Sequence, residues 1–107
     1  MVGESTISNN EIGANGGGIF NRGDATIINS TVSVNTANIG FGGGIANLGA
    51  GNFSARLTVI NSTISGNTCG TAGGGISNGG GTTVHFNNVT IANNTAGTSA
   101  AASRSGG

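Results

Sequence analysis

Three copies of the tetrapeptide Gly-Gly-Gly-Ile, at Gly16–Ile19, Gly42–Ile45 and Gly73–Ile76, each follow a copy of a second motif, apolar-x-x-Asn. That motif reads Ile7-Ser8-Asn9-Asn10, Val32-Ser33-Val34-Asn35, Ile64-Ser65-Gly66-Asn67 and Ile91-Ala92-Asn93-Asn94, so its asparagines step by 25, 32 and 27 residues. Two residues past each Ile of the glycine motif stands another asparagine, Asn21, Asn47 and Asn78, and a third set, Asn29, Asn61 and Asn88, precedes the next copy. Agreement between independent columns at one period makes each copy a structural unit that stacks on its neighbour, which excludes most globular folds.

Between these asparagines the chain alternates with period two, the pattern of a half-buried strand. Leu57 and Val59 take one face and Thr58 and Ile60 the other; the inward equivalents are Ala25 and Ile27 one repeat earlier, and Val84 and Phe86 one later. The following strand points Ile64 inward between Thr63 and Ser65, as Val32 and Ile91 do in their repeats, and a third, shorter strand supplies Ile19, Ile45 and Ile76. A helix is excluded, because glycine and β-branched residues form helices poorly and apolar positions never recur at three-and-four spacing. Gly and Asn mark the bends, Gly because it reaches positive φ without a clash and Asn because it tolerates the left-handed region. Stacking places Ile on Ile and Asn on Asn at about 4.8 Å, where side-chain amides can bond one another along the axis.

The expected fold is all-β, a right-handed parallel β-helix (β-solenoid) of three to four rungs of 25–32 residues, occupying residues 1–97. The rungs fall at about 5–29, 30–61, 62–87 and 88–97, the second lengthened by a loop at Leu48–Arg56, and 98–107 loses the pattern as a frayed tail. Three rungs are near the minimum for stability and both ends would carry open strand edges, so the chain reads as part of a longer array, with end-to-end or edge association as one consequence.

Composition supports a repeat protein over a disordered segment. The chain of 107 residues has 23 Gly but no Pro, and its formal net charge is +0, whereas disorder accompanies high net charge or many prolines. Its basic residues, Arg22, Arg56 and Arg104, are scattered, which argues against nucleic acid. No apolar run approaches a membrane span. The first residues lack the basic start and apolar stretch of a signal peptide, so an export signal is expected outside this chain. The single cysteine, Cys69, occupies the place of Ala37 and Ala96 and reads as a small buried hydrophobe.

Gly-Gly-Gly-Ile followed by [Ile/Val]-x-x-Asn resembles the GGA[ILV] and FxxN repeats of the chlamydial polymorphic outer-membrane proteins. The phrase Asn61–Thr68, NSTISGNT, with GGGIxN after it, is similar to repeats in other large bacterial surface proteins. The resemblance covers residues 5 to about 96. It implies a right-handed β-helix of the kind found in secreted, autotransporter-like passengers and adhesins, hence an extracellular or cell-surface location.

Catalysis finds little support in the residues. Glycoside hydrolysis needs two carboxylates facing a cleft, and the only acids, Glu4, Glu11 and Asp24, are not repeated on one face. His85 falls in the outward column of Thr26 and Thr58 without a partner in register. No catalytic, metal or cofactor site is therefore expected. Arg22-Gly23-Asp24 spells an integrin-type tripeptide in a turn, a combination that also arises by chance in Gly-rich bends. The Asn-x-Ser/Thr triplets at Asn29, Asn52, Asn61, Asn88 and Asn93 read as by-products of the repeat.

The outward columns remain. Thr6, Thr31, Thr63 and Thr90 should stack, each two residues from Ser8, Ser33, Ser65 or Ala92. The leading expectation is a non-catalytic structural and adhesive module that holds a glycan, matrix or neighbouring surface protein through these faces or the Leu48–Arg56 loop. An ice-binding Thr-x-Ser array and an inactive slice of a carbohydrate-active β-helix enzyme are the alternatives, and an exposed strand would favour Thr in any case.

Overall fold

The computed structural model describes residues 1–49 and 54–97. The expected tail at 98–107, and residues 50–53 of the expected loop, lie outside the described residues. The first repeat forms β1 (Val2–Gly3), β2 (Thr6–Ser8), β3 (Glu11–Ile12) and β4 (Ile19–Asn21). The second forms β5 (Asp24–Ile28), β6 (Thr31–Ser33), β7 (Thr36–Ala37) and β8 (Ile45–Asn47). In the third, the first two segments join as β9 (Arg56–Ser65), followed by β10 (Thr68–Cys69) and β11 (Ile76–Asn78), and β12 (Thr83–Ala92) opens a fourth. No helix occurs among the described residues, and none is long and apolar enough to cross a membrane.

All strand pairings described are parallel. They build a six-stranded sheet (β1, β5, β9, β6, β2, with β12 on β9) and two three-stranded sheets, β10-β7-β3 and β11-β8-β4. Residues from successive repeats meet in register as their alternation requires. Ile45 lies between Ile19 and Ile76, Val59 between Ile27 and Phe86, and Ile64 between Val32 and Ile91. A one-residue slip would turn each of these side chains to the opposite face.

The division into strands differs from the expected one. The two longer segments of a repeat share one sheet, bent where Asn29, Asn61 and Asn88 take φ of 50°, 48° and 58°. The small sheet β10-β7-β3 occupies what reads in sequence as a turn, because strands of two residues are too short to display a period. Ile91 and Phe86, expected inside, remain 38% and 48% exposed, since no described strand covers β12 on its far edge.

Ile27, Val32, Ile45, Leu57, Val59 and Ile64 form the main buried cluster, each side chain contributing about 1.5–3 kcal/mol by its removal from water. A second, narrow cluster stacks Ala37, Cys69 and Ala96. The glycine triplets explain why it is narrow. Only their first member, Gly16, Gly42 or Gly73, has positive φ (72°, 69°, 73°) and serves the bend. The second, Gly17, Gly43 or Gly74, lies against the backbone of Thr36, Thr68 or Thr95, where a Cβ would overlap main-chain atoms. The third, Gly18 or Gly44, faces the amide nitrogen of Asn35 or Asn67, 2.9 Å from where a Cβ would sit. Main chain therefore touches main chain there, leaving room only for Ala- or Cys-sized side chains.

Candidate functional site

The Thr-x-Ser columns assemble as the alternation requires. Thr6 pairs with Thr31, Thr31 with Thr63 and Thr63 with Thr90, while Ser8, Ser33, Ser65 and Ala92 align beside them. Their inward neighbours Ile7, Val32 and Ile64 anchor the same strands to the apolar interior, while Ile91 stays exposed at the edge. Thr31, Thr63, Ser33 and Ser65 are half-buried by flanking columns, whereas Thr6 and Thr90 at the two edges are exposed. The hydroxyls of Thr6, Thr31, Thr63, Thr90, Ser33 and Ser65 have no hydrogen-bond partner among the described residues, and Ser8 Oγ only accepts a 3.5 Å contact from Asn9 Nδ2. They present an array of donors and acceptors to the outside.

Behind this face the polar side chains are fully engaged. Asn10, Asn35, Asn67 and Asn94 form a ladder in which each Oδ1 after the first accepts from the backbone N–H and the side-chain amide of the preceding asparagine. The Nδ2 of Asn35, Asn67 and Asn94 also donates to the carbonyls of Ile7, Val32 and Ile64 at 3.0–3.1 Å. Asn21, Asn47 and Asn78 form a second ladder with amide-to-amide bonds of 2.8 Å. A serine column, missed by the sequence reading, runs parallel to them. Ser5 and Ser30 donate their N–H to the Oγ of Ser30 and Ser62, while each Oγ donates to the carbonyl two residues earlier. The signal was the residue before three of the four Thr of the outward column, Ser5, Ser30 and Ser62, with Val89 before Thr90.

The remaining candidates stand apart. Glu11 Oε2 accepts from Asn38 Nδ2 at 3.0 Å, Glu4 is exposed, and Asp24 begins β5 opposite Arg56. Glu11 and Asp24 lie in different sheets, and Glu4 lies outside the strands. No cluster of His, Cys, Asp and Glu that could hold a metal occurs among the described residues. His85 is exposed in the Thr26–Thr58 column. Arg22, Gly23 and Asp24 form an exposed bend clamped from one side: Asn21 Nδ2 donates to Gly23 O at 2.9 Å and its Oδ1 accepts from Gly23 N–H at 3.2 Å. The Arg22 guanidinium lies 5.9 Å from the centre of the Phe20 ring.

One concave feature was not anticipated. A cavity of about 330 Å³ opens at the β12 end, lined by Ile76, Asn78, Val84, Phe86 and Ile91. In sequence its trace is the missing fourth Gly-Gly-Gly-Ile after Ala96.

The sequence matches no protein-family model, no curated protein and no solved structure.

Proposed function

We propose that the three sheets close into a right-handed parallel β-helix of the bacterial surface-repeat type. In this reading the chain works outside the cell as a non-catalytic structural and adhesive module. It holds an extended glycan, a matrix component or a neighbouring surface protein through the Thr-x-Ser face. The observation that supports this most directly is the contrast between the outer face of the large sheet and the buried bends that follow its strands. Outside stand columns of hydroxyls without protein partners, repeated strand by strand, and inside stand asparagine ladders with their hydrogen bonds made. Such a surface offers many weak, equivalent contacts, and a repetitive ligand engages them together, so affinity grows with the length of the contact.

The test is co-sedimentation of the chain with a panel of insoluble polysaccharides and immobilised matrix proteins, alongside the double variant Thr31→Val/Thr63→Val. Valine keeps the β-branched shape and removes the hydroxyl. The expected result is binding by the parent chain, loss of binding in the variant and superimposable melting curves. Absence of binding across the panel, or release of sugar products by the chain, would count against the proposal.

The regular spacing of the same columns favours one alternative, an ice-binding face. Ala92 interrupts its last row. Thermal hysteresis at high protein concentration separates the two, since adhesion to a glycan predicts none.

A further inference from the structure

Asn21 is the first member of the Asn21–Asn47–Asn78 ladder, and its side chain has a second task. Its Nδ2 donates to Asn47 Oδ1 at 2.8 Å within the stack and to Gly23 O at 2.9 Å in the bend, while its Oδ1 accepts from Gly23 N–H at 3.2 Å. The Gly23 carbonyl also accepts from the backbone N–H of Arg56 at 2.8 Å. A side chain that is itself only 8% exposed therefore pins both backbone groups of Gly23. The link is also short. Two residues, Arg22 and Gly23, join β4 to β5, whereas 48–55 and 79–82 make the equivalent links of the next two repeats.

Nothing similar holds the charged side chains of this bend. Arg22 and Asp24 are both exposed, and neither side chain forms an ion pair or a hydrogen bond among the described residues. The Arg22 guanidinium leans back over the Phe20 ring of β4, 5.9 Å from its centre, while Asp24 opens β5 in the large sheet. Opposite charges thus stand free on either side of a fixed bend. Between them, a Cβ built on Gly23 meets nothing within 4 Å and its φ is not positive, so the fold does not require glycine there as it does at Gly17 and Gly43.

We propose that Arg22-Gly23-Asp24 is a recognition site for an integrin-type adhesion receptor, one that offers a carboxylate to the guanidinium and a bound divalent cation to the aspartate. The planar fork of arginine pairs with a carboxylate through two parallel hydrogen bonds, and an aspartate oxygen completes the shell of a hard cation. Glycine between the two lets a receptor approach the main chain closely. Because the bend is held in place beforehand, docking does not have to order it, which removes part of the entropic cost of binding. Chance supplies such tripeptides in Gly-rich bends; the buried clamp and the unpaired charges set this one apart. The site rests on the proposed location outside the cell, but not on what the Thr-x-Ser face holds.

The test is surface plasmon resonance between the immobilised full chain and the purified ectodomain of an integrin that recognises Arg-Gly-Asp, in buffer containing magnesium and manganese. Expected is saturable binding that EDTA abolishes and that the Thr31→Val/Thr63→Val variant retains, which separates this site from the Thr-x-Ser face. Asp24→Glu keeps the charge but moves the carboxylate by one methylene, and Gly23→Ala fills the open space between the charges. Each should weaken binding by about tenfold or more while melting with the parent chain. No binding at micromolar receptor would overturn the site. So would equal binding of the Asp24→Glu chain, binding that survives EDTA, or loss of binding in the Thr31→Val/Thr63→Val variant.

Discussion

The side-chain amide of Asn35 donates to Asn67 Oδ1 at 3.0 Å, and the backbone N–H of Asn35 donates to the same oxygen, also at 3.0 Å. Both residues are completely buried. Asn67 Nδ2 continues the chain of bonds to Val32 O and Asn94 Oδ1, so one side chain satisfies four partners in two adjacent repeats.

Removing that hub leaves several buried groups unsatisfied at once, at about 1–3 kcal/mol each. Asn67→Leu, close in volume, is expected to cost at least about 3 kcal/mol and to leave the chain largely unfolded. Asn94→Leu stands at the half-exposed end of the same ladder, where water can replace the lost partner, and should cost about 1–2 kcal/mol. Urea denaturation followed by circular dichroism measures both, and equal costs would mean that the ladder does not organise the interior.

Val34 has φ of 55° in a column otherwise held by Asn9, Gly66 and Asn93, at 60°, 65° and 58°. A β-branched residue in the left-handed region carries about 1–2 kcal/mol of strain, and this side chain is 56% exposed, so it returns little through burial. Val34→Asn should therefore raise stability by about 1 kcal/mol. The reverse exchange, Asn61→Val at φ 48°, should lower it by a similar amount. Opposite signs in two thermal melts are the expected reading.

The glycines separate by place rather than by type. A Cβ on Gly43 would overlap the carbonyls of Thr68 and Gly74, whereas one on Gly23 would meet nothing within 4 Å. Gly43→Ala should lose about 3 kcal/mol or more, because two main-chain segments must separate. Gly23→Ala should fall within about 0.5 kcal/mol of the parent. A Gly43→Ala protein that melts with the parent would disprove the close contact between the sheets.

These contrasts indicate which parts of the fold are legible in sequence. The Ile19–Ile45–Ile76 register is readable because alternation and period both declare it, and the same holds for Thr31 on Thr63. Sheet β10-β7-β3 is not, since Thr36–Ala37 is too short to show a pattern. Asn35 and Asn29 look alike as letters, yet one is buried in a ladder and the other turns the backbone at φ 50°. Only the three-dimensional path separates an interior amide from a bend. The Thr-x-Ser array is legible down to its rows, but the cavity lined by Ile76, Asn78, Val84, Phe86 and Ile91 is not, because alternation marks Phe86 and Ile91 as inward whether or not they are covered.

Cys69 tests the narrow lobe. Its side chain is fully buried in register with Ala37 and clustered with Ala96, where Gly43 and Gly74 bring main chain against Thr68 and Thr95. Cys69→Ala matches its neighbours and should cost about 1 kcal/mol, while Cys69→Leu must force the sheets apart and should cost about 2–3 kcal/mol. The thiol offers a second readout. A buried cysteine reacts with Ellman's reagent only when the surrounding structure opens, so labelling of the native chain should be slow and should accelerate with urea in step with unfolding. Rapid labelling in the absence of denaturant would place Cys69 outside the interior, and with it the stacking of Ala37, Cys69 and Ala96.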